Sequence, residues 1–233
     1  STQVGCNVGC KFCATAKMGF SQNLTVGEII DQFLQLQKIS KKKITNVVFM
    51  GMGEPFLNYN NSLKAAHLLH HPKGINMGSW RITISTAGIT KKICQYSKER
   101  QPFKLAISLN GSNEEQRMSI MPLTKKESFQ ELIYAARDYT IQNRKKVTFE
   151  YVLLSKINDN REDAKRLISL LNKINCKLNI IPYNEINGPY KRPSNQSINS
   201  FLAYFKKVSF PVTIRWSKGQ EIDAGCGQLV TNF

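Results

Sequence analysis

The sequence predicts an α/β fold in which a parallel sheet curls into a barrel, partial or full. Three observations predict it. Six runs rich in β-branched and aromatic residues recur along the 233 residues. Amphipathic helical stripes separate most of them. No linker, repeat or low-complexity stretch divides the chain, so one domain is expected over 1–233.

The strand runs are 46–50 (NVVFM), 80–86 (WRITIST), 103–109 (FKLAISL), 147–154 (VTFEYVLL), 177–183 (KLNIIPY) and 211–216 (PVTIRW). Residues 2–4 offer a first short strand before Cys6. In 25–38, Val26, Ile29, Ile30 and Phe33 share a helical face, and Thr25 with Glu28 reads as a capping box. Phe129, Leu132, Ile133 and Ala136 stripe 128–142. Ala164, Leu167, Ile168 and Leu171 do the same in 161–174, and Ile198, Phe201, Leu202 and Phe205 in 198–208. Strands alternating with helices of this kind build parallel βα units. Such folds place their sites at the carboxyl ends of the strands.

Composition narrows the class. A hydrophobic share of 41% supports a packed core and argues against disorder. No apolar run reaches the roughly 20 residues that span a bilayer, and no signal segment opens the chain. The first residue is Ser1 rather than Met, so an upstream segment is expected. Lys and Arg number 33 against 16 Asp and Glu, a net charge of +17. That excess points to a polyanionic partner, nucleic acid above all, although a lysine-rich genome would inflate the same count.

Three of the six cysteines crowd into "CNVGCKFC", at Cys6, Cys10 and Cys13. The chain is too long, and its cysteines too unevenly spaced, for a disulfide-stapled secreted domain. A metal centre in a reducing compartment fits better. Structural zinc needs four closed ligands, and the nearest histidine, His67, lies 54 residues beyond Cys13. Remote Cys94, Cys176 or Cys226 would have to complete such a site. A four-iron cluster on three cysteines instead leaves one iron open to a chelating ligand.

This spacing, with Phe12 before the third cysteine, resembles the radical S-adenosylmethionine enzymes. The blocks "QVGCNVGCKFCATAKMGFSQNLTVGEI", "NVVFMGMGEPFLNYNN", "RITISTAG", "LAISLN", "INCKLNIIPYN" and "EIDAGCGQL" resemble, in order, those of the RNA methyladenosine synthase family. The resemblance spans nearly the whole chain and implies a partial (βα)6 barrel of the TIM type. It implies that Cys6, Cys10 and Cys13 hold a 4Fe-4S cluster. Phe12, Gly53, Glu54, Ser85, Ser108, Leu109, Asn110 and Asn184 would contact S-adenosylmethionine. The family often has His where Asn110 stands. Cys226 would carry a methyl group taken from one S-adenosylmethionine, while a second is cleaved, two per turnover. The product would be adenosine methylated at carbon 2 in 23S rRNA, tRNA or both. A flavodoxin or ferredoxin would supply electrons to a cytoplasmic or plastid-type monomer.

Two rivals remain. One is the related carbon-8 methyltransferase that confers antibiotic resistance. The other is a non-catalytic RNA-binding module stabilised by zinc. The family's resolving cysteine and its small N-terminal RNA-binding domain precede the cluster motif. Neither falls within this chain, so a catalytic core that turns over RNA poorly or stalls as a covalent adduct is expected. Cys94 and Cys176 read as structural thiols. His67, His70 and His71 read as surface positions at a helix end. Tyr183, Tyr190 and Trp216 are offered as base-stacking residues, each more readily explained by packing. The loop 184–195, with Lys191 and Arg192, is offered as facing substrate.

Overall fold

A computed structural model gives the structure, which describes residues 1–217 and 225–230. Two strands, β1 (Gln3–Gly5) and β2 (Phe20–Asn23), flank the short helix α1 (Ala14–Lys17) and pair antiparallel. Helix α2 (Val26–Ile39) follows, then β3 (Val47–Phe49), α3 (Tyr59–His70), β4 (Ile82–Thr86), α4 (Thr90–Lys98) and β5 (Lys104–Ser108). Helices α5 (Glu114–Ile120) and α6 (Phe129–Asn143) lead to β6 (Val147–Leu153). Then come α7 (Arg161–Leu171), β7 (Cys176–Pro182), α8 (Asn195–Ala203) and β8 (Val212–Ile214).

Strands β3 to β8 form one parallel sheet in strict chain order. Right-handed crossovers in that order stack α3, α4, α6, α7 and α8 on the same face, while α5 packs at the cysteine-loop end. The apolar residues of each strand point there: Ile82 and Ile84, Leu105 and Ile107, Phe149 and Tyr151, Leu178 and Ile180 are all fully buried or nearly so. Alternate residues point the other way. They include Thr83, Lys104, Thr148, Glu150, Lys177 and Asn179, so the concave face is polar. Burying a large side chain of the first set contributes about 1.5–3 kcal/mol.

All six strand runs read from the sequence are present. Each of the four helical stripes is present too, but α8 is displaced. It begins at Asn195, where the Ser194 side chain accepts the Ser197 N–H at 3.1 Å, and ends at Ala203. Residues 2–4 do not open the parallel sheet. They pair with β2, whose four exposed residues carry no periodic pattern to announce a strand. The ribbon hooks onto the end of β3 through Thr2 N–H to Met52 O, 2.9 Å. Asn58 ties it down by donating to Thr2 O and Leu24 O.

Cys176 is buried and its thiol faces Leu171 O, as a structural thiol should. His67 is exposed, whereas His70 is half-buried, edge-on to Phe103 and hydrogen-bonded to Met77 O. It is a packing residue rather than a bare surface position. Among the described residues no helix is long and apolar enough to cross a membrane.

Candidate active site

The carboxyl ends of the strands surround an open cavity. Cys6, Cys10 and Cys13 line it, and so does Cys226. The cysteine loop turns at Gly5 and Gly9, both at positive φ. Cys6 N–H bonds Gly19 O, and Lys11 N–H bonds Ile120 O. Val8 and Phe12 pack beneath the loop against Ile120, Met121 and Val152. Burial pushes the Cys6 thiol up to about 11 and the Cys10 thiol well above its ordinary value. Neighbouring thiols add to the Cys10 shift, and the Arg117 cation opposes it.

Among the described residues no three His, Cys, Asp or Glu converge as the ligands of one metal ion do. The three thiols all line the cavity. A set of three soft sulfur donors suits a multi-iron cluster, in which each cysteine binds a different iron. The donor set and the apolar floor therefore fit an iron–sulfur cluster.

Beyond β3 the chain turns through Gly53, at φ +96, and a Cβ there would lie 2.6 Å from the Gln3 side chain. Gly53→Ala is expected to cost about 1–3 kcal/mol, read as a lower denaturant midpoint. Glu54 follows, buried. Its carboxylate accepts the N–H of Phe56 at 2.9 Å and of Ala87 at 2.6 Å, and its own N–H donates to Gln3 Oε1. Glu54 thus joins β1, β3 and β4 while lining the cavity.

Desolvation raises its carboxyl to about 7 despite those bonds. The folded protein therefore holds the Glu54 proton across a window where the unfolded chain has lost it. Stability of the cofactor-free protein should fall by up to about 3 kcal/mol between pH 4.5 and 7, then level off. Glu54→Gln should flatten that slope in urea titrations at several pH values.

Ser85 and Ser108 line the cavity at the ends of β4 and β5. Leu109 does not. Its side chain is in the core, its N–H bonds Glu150 O and its carbonyl accepts from Arg117. Asn110 lines the cavity at φ +55, a conformation Asn tolerates. Its Oδ1 accepts the Val152 N–H at 2.8 Å and its Nδ2 faces Met121 Sδ, so the amide holds the end of β6. Asn184 donates from Nδ2 to Cys226 O at 2.9 Å and to Ser217 Oγ at 2.8 Å. It anchors the thiol's loop rather than lining the cavity.

The described turn around Cys226 is docked directly on the cysteine loop. Ala14 N–H donates to Gly227 O at 2.7 Å, and Thr15 Oγ1 donates to Leu229 O at 2.6 Å. Gly225 and Gln228 exchange bonds across the turn. The Cys226 residue is exposed to the cavity, yet the surrounding protein desolvates its thiol and raises it to about 11. Residues 221–224 of the "EIDAGCGQL" block lie outside the described residues.

Reading the sequence missed Arg117. Its guanidinium is fully buried and donates to Leu109 O, Ala87 O, Ser108 O and Thr124 Oγ1. It welds the ends of β4 and β5 together beside Cys10. Tyr183 is also buried, which removes it as a base-stacking surface, and Tyr190 meets it edge-on at 6.5 Å. Trp216 stays half exposed, with the Arg192 guanidinium 5.3 Å from its ring. The 184–195 loop abuts the site, since Lys17 Nζ donates to Asn187 O and Gln228 Nε2 to Glu185 O. Lys191 pairs with Glu185 within that loop.

A cysteine loop of this kind, set at the mouth of a six-stranded parallel half-barrel, defines a radical S-adenosylmethionine protein. The Radical SAM superfamily model matches residues 1–168, and the chain belongs to that superfamily. A crystal structure of a radical SAM methyltransferase from Sphaerobacter thermophilus superposes with a TM-score of 0.93 and 41% identity, over 97% of this chain and 68% of that one. Streptococcus suis SuiB bound to S-adenosylmethionine, at 14% identity and TM-score 0.66, shares the fold.

Within the superfamily the chain belongs with the RlmN-type RNA methyltransferases. It is 47% identical over 240 residues to the dual-specificity RNA methyltransferase RlmN of Lawsonia intracellularis (strain PHE/MN1-00), covering 100% of this chain and 67% of that protein. It is 42% identical over 231 residues to the probable dual-specificity RNA methyltransferase RlmN of Leptospira interrogans serovar copenhageni. The chain spans 65% of the length of that relative.

Proposed function

We propose that this chain is the catalytic unit of a radical S-adenosylmethionine RNA methyltransferase that methylates adenosine at carbon 2, in ribosomal RNA, transfer RNA or both. The observation that carries the reading is the placement of Cys226. An accessible thiol lines the same cavity as Cys6, Cys10 and Cys13, on a turn bonded to the residue after Cys13.

Cys6, Cys10 and Cys13 would hold a 4Fe-4S cluster, which, with S-adenosylmethionine, supplies one-electron cleavage of a sulfonium and a hydrogen-abstracting radical. The rest falls to the chain. Gly53 and Glu54, which line the cavity, would offer the cofactor's methionine part backbone groups and a carboxylate. An ammonium beside Glu54 would favour its ionised form and offset the burial that raises it. Ser85 and Ser108, which line the cavity, would offer hydroxyls to the cofactor. Val8, Phe12, Val152 and Ile181 supply an apolar wall that excludes water. Cys226 would accept a methyl group on sulfur, for which the thiolate is the competent form. Asn184 and α1 hold it in place.

An electron donor of the flavodoxin or ferredoxin class and a splayed RNA adenosine complete the proposal. The unpaired basic charge supports the RNA part. Only three ion pairs form among the described residues, against 33 Lys and Arg in the chain. The test is nucleoside mass spectrometry of ribosomal and transfer RNA after incubation with reconstituted, reduced protein and cofactor. The expected product is 2-methyladenosine. An 8-methyl product, or cofactor cleavage that yields neither methylated adenosine nor a covalent protein–RNA adduct, overturns the assignment.

A further inference from the structure

A second hollow lies on the concave face of the sheet, toward the amino ends of the strands. Lys104, Lys145, Lys146, Lys177 and Arg215 line it, and Trp80 stands among them, 64% exposed. The register explains the convergence. Lys104 pairs across from Thr83, and Lys177 from Thr148, both on the polar face. Counting back two residues from Thr148 puts Lys146 on that face as well.

Barrels of this type normally fill their interior with branched apolar side chains. Here the concave face carries five cations, exposed or half-buried around an open hollow, and one buried carboxylate, Glu150. Glu150 Oε1 already accepts from Asn179 Nδ2 at 3.0 Å, and Oε2 is buried without a hydrogen-bond partner among the described residues. Arg215 and Lys177 are close enough to act on it electrostatically. None of the five cations forms an ion pair among the described residues. Lys145 donates to Gln101 O, and Arg215 points at Met50 Sδ. Thr83, Thr148 and Asn179 add polar groups to the same wall.

Like charges gathered around one concavity repel, and their field lines are focused there. An anion relieves that repulsion. The Trp80 ring lies against Gly78, with the Arg81 guanidinium 6.0 Å from its centroid, and its remaining exposed area adds a surface on which a base can stack. We propose that this hollow binds a phosphate group, carried either by a free nucleotide or by an RNA backbone. Met50, Glu150 and Arg215 line both this hollow and the cysteine-lined cavity. The bound phosphate would therefore sit behind the floor of the reaction chamber. The proposal does not depend on the radical chemistry.

The test is calorimetric titration at low salt with three probes: inorganic phosphate, adenosine 5′-monophosphate and a short single-stranded RNA. The full chain is compared with Lys104→Gln/Lys177→Gln, with Asn179→Asp, and with Lys41→Gln/Lys42→Gln on an exposed loop. At least one probe should bind. The first two variants should weaken it roughly tenfold or more, and the loop variant by less than about twofold. Asn179→Asp keeps every lysine and adds a charge, so it carries the test if the double variant does not fold. Binding of phosphate or the nucleotide assigns a free ligand, and binding of RNA alone assigns the backbone. The proposal is overturned if no probe binds, if the hollow variants bind as the parent does, or if the loop variant loses as much.

Discussion

Cys226→Ala should reduce RNA methylation to background, a loss of at least about 10³-fold, the scale on which removing a covalent nucleophile is felt. The same variant should still bind iron and still cleave S-adenosylmethionine within about twofold of the parent rate. The reason is positional. Cys226 is exposed to the cavity and contributes no core packing, so its truncation should change stability by no more than about 0.5 kcal/mol. Its thiol is held at about 11 by desolvation, so the neutral form dominates at pH 7. Methyl capture by the parent should therefore accelerate as pH rises from 7 to 9. Intact-mass measurement of the peptide containing Cys226 reads both effects. Methylation of RNA that survives the substitution would remove this thiol from the reaction.

The second large effect is structural. Arg117→Met should cost about 3–5 kcal/mol. The guanidinium is fully buried and reaches three carbonyls and one hydroxyl. Methionine fills comparable space but satisfies none of them. Lysine has a single donor head and cannot reproduce the fork. Loss of the cation also removes a group that opposes the burial of Cys10, so iron incorporation should fall with stability. Denaturant midpoints and iron content measure the two effects separately. A variant within about 1 kcal/mol of the parent would mean that water replaces the guanidinium without difficulty.

The parts of this fold that the sequence makes legible are those with a strong period or a fixed spacing. Six strands carry dense β-branched runs between helical stripes, and all six are present. The cysteine spacing and "GMGEP" mark two loops that do meet at one cavity. What escaped detection depends on contacts between distant residues. The ribbon strand β2 is wholly exposed and shows no alternation. Leu109, Asn110 and Asn184 stand within motif blocks, but their backbone or side-chain groups hold neighbouring strands and the Cys226 turn. Arg117 is one arginine among many until the ends of β4 and β5 close around it. The polar lining of the barrel was available in principle. Thr83, Lys104, Thr148, Glu150, Lys177 and Asn179 occupy the alternate positions of strands read for their apolar half.

The account rests on three thiolates presenting an iron that S-adenosylmethionine can reach. Electron paramagnetic resonance of the anaerobically reconstituted, dithionite-reduced protein, recorded with and without the cofactor, tests this most directly. A reduced-cluster signal that shifts on adding S-adenosylmethionine, with about four irons per chain, is the predicted result. An iron-free protein, or a cluster signal indifferent to the cofactor, would contradict it.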